Sequence, residues 1–166
     1  MVIFRLYGLS LTAVLSCLLA GYGSAAETKS AKIDDAPRAI KAQVWADNWF
    51  ALYSGNNLIK QDSEPFEQER SFNTESFEFK TKLPAKLSVI MRDHFQNDTG
   101  LEYIGTPHQQ VGDGGFIAQF VDADTGETLA VSDSSWQCVV THRAPLNRDE
   151  CEKSTNPEQV CRSKID

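Results

Sequence analysis

Ile40-Lys41-Ala42-Gln43-Val44-Trp45-Ala46-Asp47 is the stretch on which the fold turns. Ile40, Ala42, Val44 and Ala46 alternate with Lys41, Gln43, Trp45 and Asp47. A period of two puts the first set on one face of a strand and the second on the other. Downstream, Phe50-Ala51-Leu52-Tyr53 and Leu58-Ile59 flank Ser54-Gly55-Asn56-Asn57. Gly and Asn tolerate positive φ, so this predicts a β-hairpin. Phe77 and Phe79 alternate with Ser76, Glu78 and Lys80, again a strand buried on one face.

Further along, Leu87-Ser88-Val89-Ile90-Met91 is apolar enough for a central strand. Phe116 to Val121 and Thr128 to Ser132 are two more strands, joined through the turn Asp124-Thr125-Gly126-Glu127. Trp136, Cys138, Val140 and His142 are placed on one face of a last strand, with Trp136 in the core and Asp133 capping the turn before it. No segment of 10 or more residues keeps a helical apolar stripe. Short strands with turn chemistry between them predict an all-β fold, an antiparallel two-sheet sandwich.

Outside that body the chain changes character. Met1 to Ala26 carries Arg5 as its single charge, an apolar run from Leu6 to Leu19, and small residues at Ser24 and Ala26. That is the layout of a cleaved secretory signal, and a 14-residue run is short of the ~20 needed to span a bilayer. The expectation is a secreted or periplasmic protein beginning at Glu27, rather than one acylated at Cys17. Residues 27–39 read as a flexible lead-in, 40–146 as the sandwich domain, and 147–166 as an irregular tail.

The full chain has 16 basic and 23 acidic residues; without the first 26 residues the balance is 15 to 23, a net charge of −8. A surface of that sign repels phosphate backbones and anionic lipid, so neither nucleic acid nor, after cleavage, a membrane is an expected partner. Removing Cys17 leaves Cys138, Cys151 and Cys161, enough for one disulfide. The sequence reading pairs Cys138 with Cys151 or Cys161, tying the tail to the body; such a bridge is worth roughly 3 kcal/mol.

Ala46-Asp47-Asn48-Trp49-Phe50-Ala51-Leu52-Tyr53 with its Gly/Asn turn resembles the opening hairpin of galactose-binding-like β-sandwich (jelly-roll) domains. Gly114-Gly115-Phe116-Ile117-Ala118-Gln119-Phe120, Thr125-Gly126-Glu127 and Ser132-Asp133-Ser134-Ser135-Trp136 resemble a later strand-turn-strand run of the same domains, which accompany glycoside hydrolases such as the α-L-rhamnosidases. Two departures stand out: the Asn-Gly tip is replaced by Ser54-Gly55-Asn56-Asn57, and a Cys-bearing tail replaces the final long strand. The resemblance implies a jelly roll in a carbohydrate context and no enzymatic activity.

The candidate ligand site is Asp47, Asn48 and Trp49 with Asp93 and His94, where two strands give way to loops. Carboxylates, an amide and an imidazole supply donors and acceptors for hydroxyls, and an indole can stack on a sugar ring. The competing reading makes Asp47 and Asn48 turn closers and Trp49 core. His94, His108 and His142 lack a local metal-ligand spacing; Asp122, Asp124 and Glu127 are too few and too close for an EF-hand and read as a turn. Glycines 112, 114 and 115 read as a tight bend into a strand, Asn97-Asp98-Thr99 as a glycosylation sequon, and Asp62 to Glu69 as a solvated loop. No hydrolase or NTPase motif occurs. The expected function is therefore non-catalytic binding without a cofactor, first of a glycan. An envelope-protein or structural role comes second, and metal binding through the histidines third.

Overall fold

The computed structural model describes residues 2–5, 36–66 and 73–166. Strands β1 (Val2–Arg5), β2 (Arg38–Asp47), β3 (Trp49–Ser54), β4 (Asn57–Gln61), β5 (Thr74–Thr81) and β6 (Leu87–Arg92) are followed by the short pair β7 (Leu101–Glu102) and β8 (Gln110–Val111). Then come β9 (Gly115–Asp122), β10 (Thr128–Val131), β11 (Gln137–Val140) and β12 (His142–Arg143). Helices α1 (Arg148–Glu152) and α2 (Pro157–Val160) and strand β13 (Lys164–Ile165) complete the chain.

Two antiparallel sheets, ordered β10-β9-β2-β5 and β11-β1-β6-β3-β4, form the sandwich. The alternation read from Ile40 onward is the reason. Ile40, Ala42, Val44 and Ala46 are buried along β2, and their neighbours on β9, Ala118 and Phe120, face the same way. Phe50 and Leu52 of β3 and Leu87 and Val89 of β6 meet them from the other sheet in one cluster. Each large side chain taken fully out of water there contributes about 1.5–3 kcal/mol. The hairpin at Gly55 (φ 58°) joins β3 to β4 as expected.

Several turns form as the sequence predicts. Asp122 accepts from the backbone N–H groups of Asp124 and Thr125 and pairs with Arg38 at 3.2 Å, so the Asp122–Glu127 stretch is a self-contained turn with Gly126 at φ 76°. Asp133 accepts from Ser135 N and Oγ, capping its turn, while Trp136 packs against the core.

Three expectations are corrected. Cys151 pairs with Cys161, and Cys138 is a free, exposed thiol. Cys138 lies on the edge strand β11, whose four residues are all exposed, whereas Cys151 is buried on α1 with its Sγ against Thr99 O. The tail therefore holds itself together and docks by other means. Gln109 Nε2 donates to Glu152 O and Ser154 O, Asn97 donates to Glu158, and β13 pairs with β12. Within the tail Asn147 donates to Val160 O and accepts from Arg162 N, bracketing the two helical turns. The last strand begins only after Trp136, as β11 (Gln137–Val140), and all four of its residues are exposed, while His142 lies on the separate β12, so Trp136, Cys138, Val140 and His142 do not share one buried face. Asp62, finally, is buried rather than solvated, accepting from Glu64 N.

The expected leader falls mostly outside the described residues; its Val2–Arg5 portion forms β1 between β6 and β11. Residues 67–69 of the acidic run also lie outside them. Among the described residues no helix is long and apolar enough to cross a membrane.

Candidate functional site

The chain crosses from one sheet to the other at Asn48, and that crossing assembles the predicted residues. Asp47 ends β2 opposite Gly115 of β9, while Trp49 opens β3 opposite Arg92, the last residue of β6. Asn48 sits between them with 2% exposure. Its backbone N–H donates to Arg92 O at 3.0 Å and its Oδ1 accepts from His94 N at 2.5 Å. Asn48 is thus the clamp that fixes the start of the 93–95 loop, and its side-chain oxygen is spent on the scaffold. Trp49 is neither core nor a bare platform: the Arg92 guanidinium lies 5.6 Å above its ring and 5.2 Å from that of Phe66.

Asp93 and His94 point instead into a cavity of about 250 Å³ that they share with Phe95, Gly112, Gly114 and His142. Asp93 Oδ2 accepts from Gly114 N at 3.2 Å. A Cβ on Gly114 would stand 2.8 Å from the Asp93 Cβ, and one on Gly112 would collide with Oδ2. Gly112 and Gly114, though not Gly115, are therefore constrained by the approach of this carboxylate to the backbone, a stronger constraint than the bend read from sequence.

Burial pushes the Asp93 carboxyl up to about 6, and the Glu102, Asp47 and Asp113 carboxylates add to the rise. Burial also raises Glu102 and Asp47, with Asp113 contributing to both. The end of the sandwich thus gathers four carboxylates that repel one another, of which Asp93 alone lines the cavity.

Four buried side-chain polar atoms lack a hydrogen-bond partner among the described residues, and three of them, Asp93 Oδ1, His94 Nδ1 and His142 Nε2, belong to residues of this one cavity. Unpaired buried polar atoms are costly, so three of them in one cavity leave hydrogen-bonding capacity there that water or a polar ligand can satisfy. Phe95, edge-on to His142 at 5.6 Å between ring centres, supplies an aromatic wall. His108 is exposed in its own turn, its N–H donating to Thr106, and does not line the cavity. Among the described residues no group of three or more His, Cys, Asp and Glu side chains is arranged to hold a metal ion.

The structure brings Asp93 and His94 together with Asp47 and Asn48 at this edge. Phe95 and the ends supplied by Gly112, Gly114 and His142 were missed as parts of it. The adjacency of Phe95 to Asp93-His94 was the available signal; the convergence of β8–β9 and β12 on that loop has no local signature. The sequon Asn97-Asp98-Thr99 is spent structurally: Asn97 Oδ1 accepts from Thr99 N and Oγ1, and Thr99 is buried. No protein-family model, curated protein or solved structure matches this chain.

Proposed function

We propose that the chain is an exported, non-catalytic binding module of galactose-binding-like sandwich type, and that it takes a hydroxyl-rich ligand, a glycan first of all, in the Asp93–His94–His142 cavity. The supporting observation is the gathering there of three of the four partnerless buried polar atoms among the described residues. A sugar hydroxyl both donates and accepts, so it can give its hydrogen to Asp93 Oδ1 and meet either tautomer of an imidazole nitrogen. Phe95 offers the apolar face on which a ring can rest. The ADN hairpin and the antiparallel sandwich are compatible with the family resemblance. In this reading Asp47 tunes the charge, Asn48 holds the loop, and Trp49 lies outside the ligand.

A glycan array followed by calorimetry on hits is the test. Binding that His142→Ala or Phe95→Ala weakens, with melting unchanged, supports the site. Absence of any glycan binding, or binding indifferent to both substitutions, refutes it. A parallel titration with zinc reports on the metal alternative.

Export would remove Met1–Ala26 and β1 with it, leaving β11 without a described strand partner. N-terminal sequencing of exported material should begin at Glu27. The same strand favours the second reading, an envelope-protein contact, because Val139 and Val140 are exposed at 58% and 41%.

A further inference from the structure

The other end of the sandwich opens into a cleft of about 690 Å³, within the ~300–1,000 Å³ usual for small-molecule sites. Its floor is core: Ile40, Leu87 and Phe120, with Phe79, Leu129 and Trp136 packed around them. The Phe120 and Trp136 rings stack with centroids 6.4 Å apart and planes 20° from parallel. Every lining residue lies between Arg38 and Trp136, so removal of a leader leaves the described lining intact.

The polar accounting here is the reverse of that at the acidic end. None of the partnerless buried polar atoms belongs to a residue of this cleft. Trp136 Nε1 donates to Val131 O at 2.8 Å, so the indole presents its rings and has no N–H left to offer. Asp133 is engaged by Ser135 within its own turn. The lining also carries the hydroxyls of Thr81, Thr128 and Ser135. At the rim stands Arg38, the one basic residue of the described lining, its side chain 44% exposed; Asp122 takes a single N–H of its guanidinium at 3.2 Å. The guanidinium keeps further donors for a carboxylate, in a chain whose overall charge of −7 is otherwise repulsive to one.

We infer that this cleft binds a single-chain amphiphile, an acyl chain lying over Phe120 and Trp136 with its carboxylate at Arg38. The complementarity is twofold: the apolar floor against the chain, and the N–H donors of Arg38 left over from its Asp122 pair against the carboxylate, with Asp133 held in its own turn. The site is independent of the glycan cavity, which lies at the opposite ends of β2 and β6.

Tryptophan quenching tests it. The exported protein is titrated with a bromine-labelled dodecanoate kept below its micelle concentration, and in parallel with the matching brominated alcohol. Saturable quenching is expected, several-fold tighter for the acid than for the alcohol, and absent in Trp136→Phe although Trp45 and Trp49 remain. Arg38→Gln should erase the preference for the acid. Should that variant misfold through loss of the Asp122 pair, Arg38→Lys, which keeps the charge, should retain it, and Ala130→Phe should block the cleft to both probes. Equal affinity for acid and alcohol in the unaltered chain, quenching that survives Trp136→Phe, or uptake seen with phosphatidylglycerol vesicles and not with the free acid would each overturn the inference.

Discussion

β2 begins at Arg38 over an apolar cleft and ends at Asp47 beside a knot of acids, and the two ends obey opposite rules. At the first, every charged group of the described lining is engaged and the walls are core side chains. At the second, the buried Glu102 and the half-buried Asp93 and Asp47 repel one another beside the exposed Asp113, and three buried side-chain polar atoms have no partner among the described residues. Core packing accounts for the walls of the first. The second works against stability, and such a cost persists where binding offsets it.

The contrast is most sharply broken by cutting into shared core. Phe120, 2% exposed, floors the apolar cleft and meets Phe79 edge-on at 6.4 Å. Phe120→Ala is expected to lose about 3–5 kcal/mol in urea unfolding. His142→Ala at the acidic end should stay close to the unaltered protein, because its Nε2 has no hydrogen bond to lose. Equal losses at the two positions would mean that both ends are scaffold.

Next in size is the tail. Opening the Cys151–Cys161 loop by replacing both residues with Ser should cost about 2–3 kcal/mol on the chain-entropy estimate, and Cys138→Ser should cost almost nothing. Thermal melts of the two variants check the assignment, and non-reduced peptide mapping identifies the pair directly.

That pair also shows what the sequence could carry. Alternation from Ile40 and the turn residues at Gly55 and Gly126 were enough for β2–β6, β9 and β10, because sheet burial has a period visible in a single segment, whereas β1, the two-residue strands and the tail helices gave no such signal. A disulfide was expected but its pairing was missed, because the pairing depends on where a tail folds, and Asn147, which brackets that tail, carries no pattern of its own. The same division runs through the site. Asp47 and Asn48 were readable as a strand end and Asp93 and His94 as another, since each is a change of local texture. That Asn48 would be spent on His94 N while Phe95 and His142 wall the cavity depends on three-dimensional convergence, which no short window records.

Asn48 gives an intermediate effect. Asn48→Ala deletes the acceptor for His94 N in a site with 2% exposure, and an orphaned buried donor costs about 1–3 kcal/mol. Its signature is directional: glycan binding at the acidic end should fall along with stability, while acyl-chain quenching at Trp136 should be unchanged. Loss of both activities together would show that the two ends are coupled through β2 and β6.

The smallest effect is the one that best separates cost from use, and it depends on pH. The Asp93 carboxyl sits at about 6 in the folded chain against an ordinary 3.8, because it is buried and faces Glu102, Asp47 and Asp113. The folded state therefore holds this proton more tightly than the unfolded chain does. The resulting stabilisation is full below about pH 4 and is lost as the pH rises through about 6. Asp93→Asn keeps an acceptor for Gly114 N and removes the charge. It should raise the melting temperature modestly at pH 7–8 and leave it unchanged below pH 4. The substitution also trades an acceptor-only oxygen for an amide at the cavity wall, so a hydroxyl donor loses its charged partner and glycan affinity should drop at neutral pH. A protein made more stable and less able to bind by one atom's change is the result expected of a carboxylate kept for its ligand. Greater stability with binding intact would place Asp93 outside the contact. A lower melting temperature at pH 7 would mean that its charge is compensated and the acidic end is not strained at all.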